Sequence, residues 1–298
     1  GSIAVGTVRG EAGLRAFLWT HVAGAVPLGE PPVPGADVKA SRMTRDGTVV
    51  VGSMIAVNAS RAFRWTASEG LTGLPYLQAG DSENSASAVS DDGTVVVGLS
   101  EGSSAQQAVR WTTAGDVVGL GFLPGGTHRS GATAVSADGS IVFGYSEVNS
   151  GYQAFRWTEA GGLEAISDLP DMDQQYLILD CSADGDVAVG LLLTGDSTQE
   201  AVIWTREAGL RFLADVVAAN GSAMQRAWTL MEANAVSANG RWLAGTGRNA
   251  EGSEEAFLVD LQPPASAGGG STDGATLGGL VALGLWRWRR RRSAPGTA

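Results

Sequence analysis

Cysteine and histidine are almost missing from this 298-residue chain, which has one cysteine, Cys181, and two histidines, His21 and His128. A single thiol excludes an internal disulfide and a cysteine-rich metal centre, and two imidazoles would leave a zinc site dependent on carboxylates. No Ser/His/Asp constellation, HExxH or phosphate-binding glycine loop is visible, so the sequence names no catalytic residue and calls for no cofactor. Positive charge is scarce as well. Lys and Arg number 20 against 31 Asp and Glu, for a net charge of −11, and Arg287 with Arg289 to Arg292 crowd into the end of the chain. The remaining 15 basic residues face 31 acidic ones, a balance that repels phosphate backbones and excludes nucleic acid as a partner. Long apolar runs are lacking too. The clearest, Ala275 to Trp286, would span about 18 Å as a helix, short of the roughly 30 Å hydrocarbon core of a bilayer.

What is abundant is glycine, 43 residues against 10 prolines, in a chain that is 44% hydrophobic. That mixture fits a folded protein with many tight turns. The turns recur. Aromatic clusters read RAFLWT (15–20), RAFRWT (61–66), QAVRWT (107–112), QAFRWT (153–158), EAVIWT (200–205) and a degenerate EAFLVD (255–260), placing Trp19, Trp65, Trp111, Trp157 and Trp204 at spacings of 46, 46, 46 and 47. A second motif keeps the same period: TRDGTVVVG, SDDGTVVVG, SADGSIVFG, SADGDVAVG and SANGRWLAG, with the opening GSIAVG in register. Asp46, Asp92, Asp138, Asp184 and Asn239 are therefore one turn position seen five times. Asn at one of them argues for a hairpin corner rather than an essential carboxylate, with the preceding Thr44, Ser90, Ser136, Ser182 and Ser237 bonding the turn backbone. Asp91 does not repeat and is expected to be solvated.

Each period reads as four short strands: an inner one with alternating small residues (SASAV, 85–89), an apolar one (TVVVG), one carrying the Trp (QAVRWT), and one around LTGLPYL (71–77). Four strands in about 46 residues, repeated six times, predict an all-β fold, a β-propeller of at least six four-stranded blades, with seven admissible. The tryptophans are expected to pack between blades, and Cys181, aligned with Val89 and Val135, to act as a small buried hydrophobe. The chain begins in the second strand of a blade without an initiator Met, so the missing inner strand is expected upstream.

The segment RWTTAGDVVGLGFLPGGTHRSGATAVSADGSIVFG, continuing to QAFRWT, resembles the HAF-type extracellular repeat. The matching features are Phe155-Arg156-Trp157, Leu120-Gly121, Leu123-Pro124-Gly125-Gly126, Ser130 with Ala132 and Ala134, Asp138-Gly139, and Ile141 to Gly144. The resemblance spans about residues 1–261 and implies export and a propeller-like array, with no catalytic residues. Where the family usually has His before Ala-Phe, this chain has Arg15, Arg61, Gln107, Gln153, Glu200 and Glu255.

Residues 262–274 read as a flexible Pro/Ser/Gly linker and 275–298 as an apolar segment followed by Arg289, Arg290, Arg291 and Arg292. With Gly268-Gly269-Gly270-Ser271 in front, this tail resembles a bacterial carboxyl-terminal sorting signal of the Gly-Gly or PEP-CTERM kind. The resemblance implies a processing protease as partner and contact with the inner membrane, the arginines staying cytoplasmic and the repeats facing outward.

Ligand sites on propellers usually lie on the face that carries the connections between blades, opposite the Asp-Gly turns. Residues expected there include His128, Arg129, Tyr145, Glu147, Asp171 and Asp173. The Trp-to-turn spacing is 27 in the first four repeats but 35 from Trp204 to Asn239, an eight-residue insertion expected to form a short helix and to present Arg226, Trp228 and Glu232. The reading is a monomeric, surface-associated binding or scaffolding module for an envelope glycan or protein; a carboxylate-based glycan hydrolase or lyase and a purely structural surface protein are the alternatives.

Overall fold

The computed structural model describes residues 3–11, 13–148, 151–167, 174–219 and 228–261. They form six blades around an axis. Blade one is β1 (Ile3–Gly10), β2 (Gly13–Thr20) and β3 (Gly24–Pro27); blade two is β4 (Asp37–Met43), β5 (Val49–Ala56), β6 (Ala59–Thr66) and β7 (Gly70–Gly73). Blade three is β8 (Glu83–Val89), β9 (Val95–Glu101), β10 (Gln106–Thr112) and β11 (Val117–Gly121), and blade four is β12 (Gly126–Val135), β13 (Ile141–Val148), β14 (Gly151–Thr158) and β15 (Gly162–Ala165). Blade five is β16 (Gln175–Cys181), β17 (Val187–Leu193), β18 (Gln199–Thr205) and β19 (Gly209–Phe212), followed by helix α1 (Leu213–Ala219). Blade six is β20 (Thr229–Val236), β21 (Trp242–Arg248) and β22 (Glu254–Asp260). Within each blade successive strands pair antiparallel, while single parallel rungs, Ser60 with Glu83, Gln106 with Arg129 and Tyr152 with Gln175, tie blades two to five together. The molecule is a β-propeller, as the 46-residue period requires.

Packing explains the composition of each strand. In blade two Val49, Val50 and Val51 are at most 5% exposed, because the second strand of a blade is covered by neighbours on both faces. Apolar clusters fill the junctions between blades one and two (Phe63, Val50, Leu28), two and three (Val51, Trp111, Ala86), three and four (Phe155, Val97, Leu123), four and five (Phe143, Ile178, Trp204) and five and six (Ile203, Leu243, Phe257). Trp65, Trp111, Trp157 and Trp204 each lean back on the blade before: Trp111 donates its indole N–H to Pro75 O of the preceding connection (2.8 Å), and Trp204 meets Phe143 edge-on, whereas Trp19 of blade one is 37% exposed.

The inner strands differ from the simple alternation of the sequence reading. Each carries a bulge, between Ala40 and Arg42, Ala86 and Ala88, Ala132 and Ala134, Ile178 and Asp180, and Ala233 and Ala235. The extra residue lets both small side chains sink, Ala86 and Ala88 to 1% and 6% exposure, and adds the local twist needed near a crowded axis. Opposite each bulge lies a glycine of the second strand. A Cβ at Gly52, Gly98, Gly144, Gly190 or Gly245 would run into the carbonyl oxygen of Lys39, Ser85, Gly131, Leu177 or Glu232, so only glycine fits.

The Asp-Gly corners behave as expected. Ser90 Oγ is buried, accepts the Val95 N–H (3.0 Å) and donates to Asp92 Oδ1 (2.6 Å), which also accepts the Thr94 N–H; Gly93 takes a φ of 71°. Asn239 reproduces the arrangement with Ser237 and Arg241. These bonds to the ionised form draw the Asp46 carboxyl down to about 2, the Thr44 hydroxyl contributing most, and lower Asp92, Asp138 and Asp184 likewise.

Candidate functional site

Two polar concentrations stand out, one on each face. The first lies at the junction of blades three and four on the face opposite the Asp-Gly corners. It arises from an irregularity in β12, where Gly126 pairs with Val148 and Ser130 with Ser146, so that residues 127–129 stand opposite Glu147 alone. His128 and Arg129 are thereby pushed out of the ladder and exposed. His128 meets Phe122 edge-on, centroids 6.4 Å apart, and Tyr145 meets Tyr152 edge-on at 5.4 Å. Gln106 Nε2 reaches across from blade three, donating to Tyr145 Oη (3.0 Å) and Ser130 O (3.3 Å). Burial holds the Tyr145 phenol above its ordinary pKa, with the Gln106 bond working against it, so the hydroxyl stays a neutral donor. Glu147 sits opposite Tyr152 in the ladder. Four expected residues, His128, Arg129, Tyr145 and Glu147, thus share one patch.

The other expected residues do not join it. Trp228 is partly buried against the core between blades five and six, and Glu232, on β20, accepts a hydrogen bond from Asn234 Nδ2 (3.0 Å). The insertion begins with α1, whose Leu213 and Val217 are buried in that same core, so its described part serves packing. Asp171, Asp173, Arg226, Gly268, Gly269, Gly270, Ser271, Arg289, Arg290, Arg291 and Arg292 lie outside the described residues.

The second concentration is a cavity of about 180 Å³ on the axis, at the end bearing the Asp-Gly corners. Arg42 of blade two crosses it to blade five, donating to Leu179 O (3.0 Å) and standing 3.7 Å from Asp180. Asp180 also accepts the Val236 N–H (2.9 Å), and burial raises its pKa above the usual carboxylate range against the pull of Arg42. Cys181 lines the same cavity, and burial pushes its thiol far up, which leaves it a poor nucleophile. The Arg42–Asp180 pair was not among the expected site residues. Its signal was present: both occupy an inner-strand position that is alanine in Ala88, Ala134 and Ala235. Asp91 is exposed to solvent, as expected, and Arg45 of the neighbouring blade stands 3.2 Å from it at the surface. Main-chain bonds link the corners around the mouth: Asp91 N–H to Ala137 O, Ala137 N–H to Ala183 O, and Ala183 N–H to Ala238 O.

Comparison with protein-family models and with curated proteins gives no match. Solved structures do match. TolB from Acinetobacter baumannii is similar at a TM-score of 0.53 and 12% identity, over 87% of this chain and 64% of that one. A putative TolB from Agrobacterium tumefaciens gives 0.52 and 14% over 87% and 91%, and an oligogalacturonate lyase in complex with manganese gives 0.54 and 11% over 85% and 73%. What they share with this chain is the propeller. At such identities the likeness carries the fold alone, and this chain spans slightly under two thirds of the Acinetobacter protein. Among the described residues no group of three or more His, Cys, Asp or Glu could hold a metal, and no helix is long and apolar enough to cross a membrane.

Proposed function

We propose that the protein is an exported envelope module that binds a glycan on the patch between blades three and four. The observation that carries this reading is the β12 irregularity, which sets exposed His128 and Arg129 beside the Tyr145–Tyr152 pair and the Gln106 amide. Aromatic faces suit the C–H surfaces of a sugar ring, while amide, phenol, imidazole and guanidinium groups suit its hydroxyls. A rigid ladder on both sides keeps them preorganised.

The test is titration with a panel of envelope and matrix polysaccharides. Saturable binding without product is expected, weakened about tenfold or more by Tyr152→Ala and by His128→Ala, which corresponds to roughly 1.4 kcal/mol each. Trp228→Ala should leave it unchanged. Turnover abolished by Asp171→Asn or Asp173→Asn would replace this reading with an enzymatic one. Export and tail processing are tested separately by intact mass of protein from the native envelope fraction. Cleavage near Gly268 to Ser271 is expected; an unprocessed cytosolic product would overturn that part.

A further inference from the structure

The charges on the axis take no part in the glycan patch, which lies on the opposite face. At the inner-strand residue that follows the bulge, β8, β12 and β20 carry alanine (Ala88, Ala134 and Ala235), whereas β4 and β16 carry Arg42 and Asp180. Blades two and five stand three places apart in the ring of six, so opposite walls deliver opposite charges to the axis. Among the described residues no other ion pair joins blades that are not neighbours.

This pair is not closed. Its nitrogen and oxygen stop at 3.7 Å, beyond hydrogen-bond reach, and each group is anchored to main chain instead: Arg42 donates to Leu179 O, and Asp180 accepts the Val236 N–H. A pair that only braced the ring is expected to shut, as Arg241 and Asp260 do at 2.6 Å. A guanidinium offers several N–H donors and a carboxylate several lone-pair sites, so both groups keep capacity for a third party. They also keep access, with 41% and 25% of their side-chain surfaces open.

The space beside them sets the size and character of that third party. About 180 Å³ is room for on the order of ten water-sized bodies, hence for a molecule as large as valine. Around the ring between the two charges the wall is aliphatic, with Ala88, Val89, Ala134 and Val135. Arg45 and Asp91, 3.2 Å apart at the mouth, add one charge of each sign, so the approach favours neither simple cations nor simple anions. A ligand that answers all of this carries both charges close together and an aliphatic remainder. In an α-amino acid the ammonium nitrogen and the carboxylate carbon flank a single carbon and lie about 2.5 Å apart, the compact spacing that Arg42 and Asp180 demand.

We infer that the axial cavity binds a free α-amino acid with a small aliphatic side chain, its carboxylate on Arg42, its ammonium on Asp180 and its side chain against the alanine and valine walls of blades three and four. Two charge-assisted contacts made at once reject molecules that bring only one of the two charges, because the other protein charge is then left desolvated without a partner.

The probe is L-valine, titrated calorimetrically into the full chain beside isovalerate, which lacks its amine, and isobutylamine, which lacks its carboxylate. Saturable one-to-one binding of valine is expected, roughly tenfold or more tighter than either analogue. L-alanine should likewise outbind β-alanine, whose charges sit one carbon further apart. Asp180→Asn keeps an acceptor for the Val236 N–H and removes the charge; it should weaken valine by a similar factor and leave isovalerate as it was. Arg42→Gln, which keeps a donor for Leu179 O, should weaken valine and leave isobutylamine as it was. The comparison of ligands on the unaltered chain is decisive even where a variant fails to fold. The proposal is overturned if valine does not bind at millimolar concentration, or if valine and its single-charge analogues bind alike. It is equally overturned if Asp180→Asn folds and binds valine as the parent does, which would leave the pair a brace across the ring.

Discussion

At the residue scale, the four acidic corners store a pH dependence whose direction follows from their hydrogen bonds. Asp46 titrates near 2 and Asp92, Asp138 and Asp184 are lowered, all below the ordinary value of about 3.9 for an unfolded chain. A lowered folded pKa gives stability that is complete above the unfolded value and disappears as pH falls through the folded one. Urea unfolding should therefore show a loss of stability between about pH 4 and pH 2. Asp180 has the opposite sign, because burial raises its folded pKa and the group favours folding only when protonated. Relative to the parent, Asp180→Asn should thus gain stability as pH rises from about 4 to 7, read from the same curves. The hydroxyls matter more than the carboxylates. Ser136→Ala strands the buried Ile141 N–H, now 3.0 Å from Oγ, and should cost about 1–3 kcal/mol, while Asp138→Asn should cost far less, as Asn239 already demonstrates.

At the element scale, the blades are held together by side chains that reach into the neighbouring backbone. Asn84 is fully buried, accepts the Ala62 N–H (2.6 Å) and donates to Pro75 O (3.0 Å), so it fixes blade three against blade two. Asn84→Ala should destabilise by about 1–3 kcal/mol through the orphaned amide, measured by chemical denaturation. Trp111→Ala should cost about 3–5 kcal/mol through the lost packing, and Trp111→Phe less, since it forfeits chiefly the bond to Pro75. Much of this architecture was legible in the chain. The 46-residue period called for at least six blades with seven admissible, the valines marked strands covered on both sides, and the small residues marked the axis. The bulges were not legible, because two alanines around one extra residue look the same in sequence as a regular alternation. For the candidate site, the outward turn of His128 and Arg129 depends on a mismatch of three residues in β12 against one in β13, which no local pattern encodes. Arg42 and Asp180 lie 138 positions apart and meet only because the blades close around an axis.

At the scale of the whole molecule, stability should be uneven around the ring. Among the described residues, blades two to five are flanked by an apolar core on each side, whereas blade one has such a core only toward blade two and blade six only toward blade five. Amide exchange should be slowest in β9, β13 and β17 and markedly faster in β1, with Trp19 the most readily quenched of the five periodic tryptophans. Uniform protection in all six blades would contradict this.

The bonds that pass from corner to corner around the axis use main-chain groups alone, and Asp91 takes the same place in them that alanine holds at Ala137, Ala183 and Ala238. A link that ignores side chains imposes no matching requirement on a newcomer. Copying a 46-residue stretch within the gene would therefore deliver a blade able to join the ring at once, and its outer face could then drift toward a new ligand while the axis kept its geometry. In such a lineage the number of blades is a variable that changes in whole steps, and the irregular blade, not the regular one, records what selection has most recently acted upon.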